Sequence, residues 1–172
     1  MSILFLIPTL SQGGAESFLL KFAIELSKNK NISIHIFVLQ KDLTLVPKTL
    51  PENIKIKEFG LSKSVKSAYS FIKFYKNVKK LSPDVIHSHM FFSNIIARLF
   101  KNKKNKIINH YHGLSPWFNF FHYALEKITQ KYVDYCIVTS QQSFDLRLQR
   151  EKITKNKLKL VYNSISLPLE YK

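Results

Sequence analysis

Four short groups of residues carry the chemical possibilities of this chain. Pro8-Thr9-Leu10-Ser11-Gln12-Gly13-Gly14-Ala15-Glu16 places two glycines where a short apolar run gives way to a helical pattern. Glycines there allow close backbone approach, and a helix start offers unpaired N–H groups to an anion. The spacing fits neither the dinucleotide fingerprint, whose later glycines are missing, nor a P-loop, which needs a following Lys-Ser/Thr pair. An ordinary strand-to-helix turn accounts for the same residues. His87-Ser88-His89 and His110-Tyr111-His112-Gly113 each set two imidazoles two residues apart. On a strand that spacing points both rings to one side, so each pair can converge on a ligand. A metal site is disfavoured, because ligand imidazoles usually have carboxylate support and the nearest acid, Asp84, stands at a strand start. For any one histidine, packing or capping is the commoner fate. A histidine at a strand end facing a cleft can instead act as a base or orient a hydroxyl or phosphate. The fourth group is the aromatic run Tyr111, Trp117, Phe118, Phe120, Phe121 and Tyr123. Phe121, Ala124, Leu125 and Ile128 follow helical spacing and are expected in the core. Trp117, Phe118 and Phe120 fall off that stripe and are expected to form an apolar lip near the site, a composition suited to a membrane interface.

The apolar pattern supplies a frame for these groups. Strands are expected at 3–7, 32–39, 54–57, 84–87, 106–109, 135–139 and 158–162. Helices are expected after Gly13-Gly14, with Phe18, Leu19, Phe22, Ala23 and Leu26 on one face, and at 91–100, 117–132 and 143–151, the last capped by Ser140. Ser62 can cap a further helix whose core face is Val65, Ala68, Ile72, Tyr75 and Val78. Alternation of short apolar strands with amphipathic helices indicates one α/β, Rossmann-like domain: a mostly parallel sheet of about seven strands with helices on both faces. Ligands of such sheets bind at the carboxyl ends of the strands, so the glycine loop and both histidine pairs should share one rim.

Composition limits the partners. The 172 residues are 45% hydrophobic and 13% aromatic, enough for one packed domain and unlike a disordered chain. A lone Cys136 makes an internal disulfide impossible, and a reducing, cytoplasmic setting fits. Neither a secretory signal nor a membrane-spanning run is apparent. The net charge of +16 favours an anionic partner, although a lysine-rich coding bias explains the excess equally well. Arginine occurs only at Arg98, Arg147 and Arg150, which argues against base reading, and no nucleic-acid-binding module is visible. Lys63, Lys66, Lys73, Lys76 and Lys80 lie opposite the expected core face of their helix. They suit a peripheral contact with an acidic membrane surface, or simply a solvated face.

Taken in order, the motifs resemble those of family 4 retaining glycosyltransferases. Gln12-Gly13-Gly14-Ala15-Glu16 resembles the family's Gly-Gly-Ala-Glu signature, and Pro83-Asp84-Val85-Ile86-His87-Ser88-His89 resembles its histidine-bearing strand. His112-Gly113 is similar to a His-Gly turn, Asp134 to Ser140 to a later strand, and Val161-Tyr162-Asn163-Ser164-Ile165 to a segment where the family has Gly and a terminal Asp in place of Ser164 and Ser166. The resemblance implies one half of a GT-B fold, two Rossmann-like domains facing across a cleft, with no cofactor and no essential metal. Residues 1–166 would be the acceptor-side N-terminal domain and 167–172 the start of a linker, the donor domain being absent. Gly13 and Gly14 would approach the donor diphosphate or the transferred sugar. His112 would face the reacting centre as the catalytic candidate, with His89 and Gly113 as further donor- or acceptor-binding contacts, and Glu16 would have no chemical role. The implied reaction is hexose transfer from a nucleotide-sugar to a glycan or lipid-linked acceptor in surface polysaccharide or glycolipid synthesis. The other reading is a non-catalytic glycan- or lipid-binding remnant, or the partner subunit of a split transferase.

Overall fold

The computed structural model describes residues 1–61, 66–114, 116–151 and 153–163. Strand β1 (Ser2–Ile7) leads into α1 (Gly14–Ser27), and β2 (Ser33–Val38) and β3 (Ile54–Glu58) follow. Next come α2 (Lys66–Leu81), β4 (Val85–His89), α3 (Phe91–Arg98) and β5 (Lys106–Tyr111). The chain continues with α4 (Phe120–Thr129), β6 (Tyr135–Val138), α5 (Gln141–Leu146) and β7 (Leu158–Leu160). All seven strands are parallel, in the order β3-β2-β1-β4-β5-β6-β7. The expected fold class is therefore observed, with the strand order reversing at the β1–β4 pair.

Leu4, Phe5, Leu6 and Ile7 of β1 are all fully buried, as a strand covered on both faces must be. Burial of each such side chain contributes about 1.5–3 kcal/mol. The two faces are covered unequally. Phe5 and Ile7 pack with Leu19, Leu20 and Ala23 of α1. Leu4, Leu6 and Ile86 pack on the opposite face with Phe74 and Val78 of α2 and Ala97 of α3. Tyr111 and Val138 continue that second face under Phe144 of α5. A right-handed crossover explains the split, because the connections toward the β3 edge are β1-to-β2 and β2-to-β3, and of these the first alone carries a helix.

Several expectations are corrected. The buried face of α2 is Phe74 and Val78 with Phe71 beside them, while Ala68, Ile72 and Tyr75 are exposed. This helix carries two neighbouring apolar stripes, and the bulkier phenylalanine stripe meets the sheet. Ser62, Lys63 and Val65 lie outside the described residues, as do Ser164, Ser166 and 167–172. Strand β4 runs two residues past the expected end, since His89 still pairs in register with His110. Helix α4 begins at Phe120 rather than Trp117, because Asn119 caps it by accepting from the His122 N–H at 3.2 Å. Ser140 caps α5 as expected, accepting from the Ser143 N–H, but the helix loosens into a π-helical turn over Arg147–Glu151.

Candidate active site

The strand order reverses at β1 and β4, and in open parallel sheets ligands enter at such a point, beyond the carboxyl ends of the strands. There β4 and β5 present four imidazoles to the α1 face. His87 and His110 stack at 5.5 Å between centroids, His87 and His89 at 4.5 Å, and His110 and His112 at 4.1 Å. Period-two alternation places His87 and His89 on β4 and His110 on β5 with His112 just beyond its end, and the β4–β5 register sets His89 beside His110. Both pairs thus converge, although His87 and His110 lie within their strands rather than beyond them. Phe18 of α1 closes the stack, its ring 5.2 Å from His110 and 5.6 Å from His112. Because Phe18 stands one helical turn beyond Gly14, the glycine loop and the histidines do share one rim.

His89 Nδ1 and His112 Nε2 are hydrogen-bonded at 2.8 Å, the direction depending on the tautomers. The second nitrogen of His112, Nδ1, is buried and has no hydrogen-bond partner among the described residues. Burial in this apolar box keeps all four rings neutral. It lowers His112 to about 4, and, since a second proton nearby would repel the first, His87 (beside His112) to about 3 and His110 (beside His112 and His87) to about 2. His89 is likewise held well below its ordinary value, first by burial and then by the other three histidines. A neutral imidazole fixed by one nitrogen has the other available to accept or donate a proton.

Ring nitrogens of His87, His89 and His110 lie within 4.8 Å of one another, so these are the residues that could hold a metal. His87 and His110 lie nearly face to face, 8° between planes, while His89 is tilted from them by 26° and 34°. No carboxylate among the described residues hydrogen-bonds to any of the four, so the usual outer support of a histidine–metal site is missing. The arrangement suits a neutral imidazole stack better than a chelate.

The glycine loop is more constrained than its sequence suggests. Gly13 has extended backbone and caps α1 without a side-chain bond, and a Cβ there would stand 2.3 Å from Glu16 Oε2. The Glu16 carboxylate is buried and accepts from Thr9 Oγ1 at 3.2 Å, so it folds back over the loop. At Gly14 and Gly113 a Cβ would meet nothing within 4 Å, leaving room for a ligand. Met90, directly after His89, has φ 69 and ψ 158, a conformation essentially reserved for glycine. Such strain costs on the order of 1–3 kcal/mol and clusters at functional turns. Nothing in the sequence signals it, since the residue is a methionine.

Around this rim lie two apolar features. A cavity of about 730 Å³ opens beside the ends of β1, β2 and β3, lined by Pro8, Leu39, Gly60, Leu61, Phe92 and Ile96, with Lys41 supplying a charge. The second is α4, which contradicts its expected packing. Phe121 is 70% and Ile128 67% exposed, whereas Glu126 is buried. Phe120 and Trp117 are exposed as expected of a lip, but Phe118 is buried. Glu126 turns inward because it meets Arg98 at 2.5 Å, which rotates the phenylalanines out. The exposed side forms a cavity of about 720 Å³ floored by Phe120, Tyr123, Ala124 and Ile128 and edged by Lys127 and Arg150. No helix among the described residues is long and apolar enough to cross a membrane.

Comparison with known proteins follows the same outline. The sequence model described as Glycosyltransferase Family 4 matches residues 12–168. An uncharacterized 41.2 kDa protein in the cps region of Klebsiella pneumoniae is 32% identical over 109 residues, which span 56% of this chain and 30% of that protein. Among solved structures, HepE of Anabaena in complex with UDP and glucose superposes with a TM-score of 0.73 at 19% identity, over 96% of this chain and 45% of that one. A glycosyltransferase from Rickettsia africae gives 0.72 at 22% identity over 95% and 43% of the two chains. The lipopolysaccharide outer core galactosyltransferase WaaB gives 0.69 at 19% identity over 98% and 47%. The chain thus spans just under half the length of these structures and less than a third of the curated relative, and its fold is one Rossmann-like half of the GT-B type.

Proposed function

This chain belongs to glycosyltransferase family 4, and we propose that residues 1–166 form the acceptor-side half of an enzyme that transfers a hexose from a nucleotide-sugar. The acceptor is a glycan or lipid-linked saccharide of surface polysaccharide or glycolipid assembly. A donor-binding half, in the same polypeptide or in a separate chain, completes the cleft. The observation that carries this reading is the His89–His112 hydrogen bond at the carboxyl ends of the two central strands, beside the start of α1. It leaves one buried nitrogen of a neutral imidazole for the reacting sugar.

In this reading His112 touches the transferred sugar and His89 orients it. Gly13 and Gly14 bring the first N–H groups of α1 to the donor, and Gly113 leaves space beside them. HepE holding UDP and glucose, and a relative in a cps region, support a nucleotide-sugar donor and a polysaccharide product. The cavity beside β1–β3 suits the acceptor. The exposed face of α4, apolar with a cationic edge, suits an acidic membrane surface that presents it.

The test is nucleotide release by this chain combined with a donor-binding half, using a lipid-linked acceptor in vesicles of anionic or neutral phospholipid. His112→Ala should lower turnover by about 10²–10⁴-fold, and anionic vesicles should be the better substrate surface. Unchanged turnover in His112→Ala would sink the catalytic assignment, and equal rates on both vesicles would remove the membrane from the reading. A complete absence of nucleotide release from the wild-type pair would favour a non-catalytic binding module.

A further inference from the structure

We infer that Arg147, in the π-helical turn after α5, is a positioning residue for His112, acting through Tyr111 and Gly113 from the opposite face of the sheet. The inference rests on the reading of His112 just given. Tyr111 ends β5 and points away from the imidazole stack, so it is the side chain through which the far face can hold the His112 backbone. It is held twice. Its hydroxyl donates to Glu126 Oε2 at 3.0 Å and accepts from Arg98 Nη2 at 3.0 Å. Its ring lies under the Arg147 guanidinium, 4.0 Å from Cζ to the ring centroid.

Arg147 also reaches past His112. Its Nη2 donates to the Gly113 carbonyl at 3.4 Å, and Ser143 Oγ of α5 donates to the same oxygen at 3.4 Å. Nη1 is paired with Glu151 inside the same π-helical turn. Residues on both sides of His112 are therefore tied to one guanidinium that is itself fully buried. Stability does not call for this device. Buried Arg–Glu pairs lose hydration, and apolar residues of similar volume often serve the fold equally well or better. A π-turn is likewise uncommon outside functional sites. Fixing the backbone that presents a reacting group is a use that does call for a rigid, doubly tied guanidinium.

Three variants test it: the apolar pair Arg147→Met with Glu151→Leu, and the singles Arg147→Lys and His112→Ala. Three measurements are made: thermal unfolding, amide hydrogen exchange at 111–114, and kcat and KM in the assembled enzyme. The apolar pair is expected to keep its unfolding midpoint, exchange at 111–114 about tenfold faster, and lose about 10–100-fold in kcat with donor KM little changed. Arg147→Lys should restore the charge but only part of the kcat, since a lysine cannot stack on Tyr111 and reach Gly113 together. Unchanged exchange at 111–114 in the apolar pair, or full kcat, overturns the inference. So does an unfolded apolar pair accompanied by full kcat in Arg147→Lys, which would mark the charge as structural. If His112→Ala is fully active while exchange still accelerates in the apolar pair, the catalytic reading fails and the positioning of the turn stands.

Discussion

At the carboxyl end of β5 the two faces of the sheet bury polar groups in opposite ways. The α1 face holds four imidazoles, all neutral, stacked on one another and on phenylalanines, with one hydrogen bond among them. The other face holds the ion pairs Arg98–Glu126 and Arg147–Glu151, wrapped around Tyr111 and bonded to Asn109, Thr129 and Gly113. At Arg98 burial favours the neutral form, but the surrounding Tyr111 and Glu126 outweigh it and push the guanidinium up, while at Glu151 burial pushes the carboxyl up against the pull of Arg147. The imidazoles share a single hydrogen bond, whereas each guanidinium is tied to a carboxylate and to further acceptors, leaving one oxygen each of Glu126 and Glu151 without a partner among the described residues. A proton-transferring site would use the first and a fixed backbone the second, and consecutive residues at the end of β5, His110 to His112, border both.

The difference can be broken most widely with pH. The folded-state values of His87, His110 and His112 lie below the ordinary 6.5. Between those values and 6.5 the unfolded chain binds more protons, so stability falls as pH falls. Each group then costs up to about 1.4 kcal/mol per pH unit below 6.5. Unfolding followed by circular dichroism should therefore show a steep loss between pH 6 and about 4. A flat profile over that range would mean that the imidazoles are hydrated.

Next in size is the loss of one charge on the arginine side. Glu126→Ala leaves Arg98 buried without its carboxylate and should cost about 3–5 kcal/mol in urea unfolding. A cost under about 1 kcal/mol would show that water reaches Arg98. Smallest is His110→Leu, which replaces a buried imidazole having two unpartnered nitrogens with an apolar group of similar size. It should cost no more than about 1 kcal/mol at pH 7.5 and shift the acid transition to lower pH. A loss as large as that of Glu126→Ala would mean that the stack is bonded through water and resembles its opposite face.

This contrast also marks what the sequence can tell. Strands were legible because parallel strands buried on both faces read as short apolar runs, β1 most plainly. The histidine pairs were legible because period-two spacing fixes their side, and the rim followed from the carboxyl-end rule. Helix faces were not. In α4, Phe121, Ala124 and Ile128 have core-like spacing, and the fact that reverses it is a partner for Glu126 at Arg98, 28 residues away. In α2 both stripes are apolar, and only contact with β1 and β4 selects Phe74 and Val78. The arginine network joins residues 98, 111, 126, 147 and 151, and its one local trace is the four-residue spacing of Arg147 and Glu151. Strain at Met90, between the end of β4 and the start of α3, has no trace at all in its residue type.

The β1–β4 pair at the centre of the sheet also orders events during synthesis. Every other pairing joins strands consecutive in the chain, whereas the second edge of β1 must wait for β4. The contact that starts their register joins the Ser2 N–H to the Asp84 carboxylate, 82 residues apart. Closing a loop of that length adds an entropic cost before any central pairing forms, and topologies of this kind fold slowly. Until Asp84 has left the ribosome, the largely apolar β1 has one unpaired edge, a template for association with other nascent chains. The strand at the centre of the candidate rim is thus, until β4 is made, a segment with reason to need a chaperone.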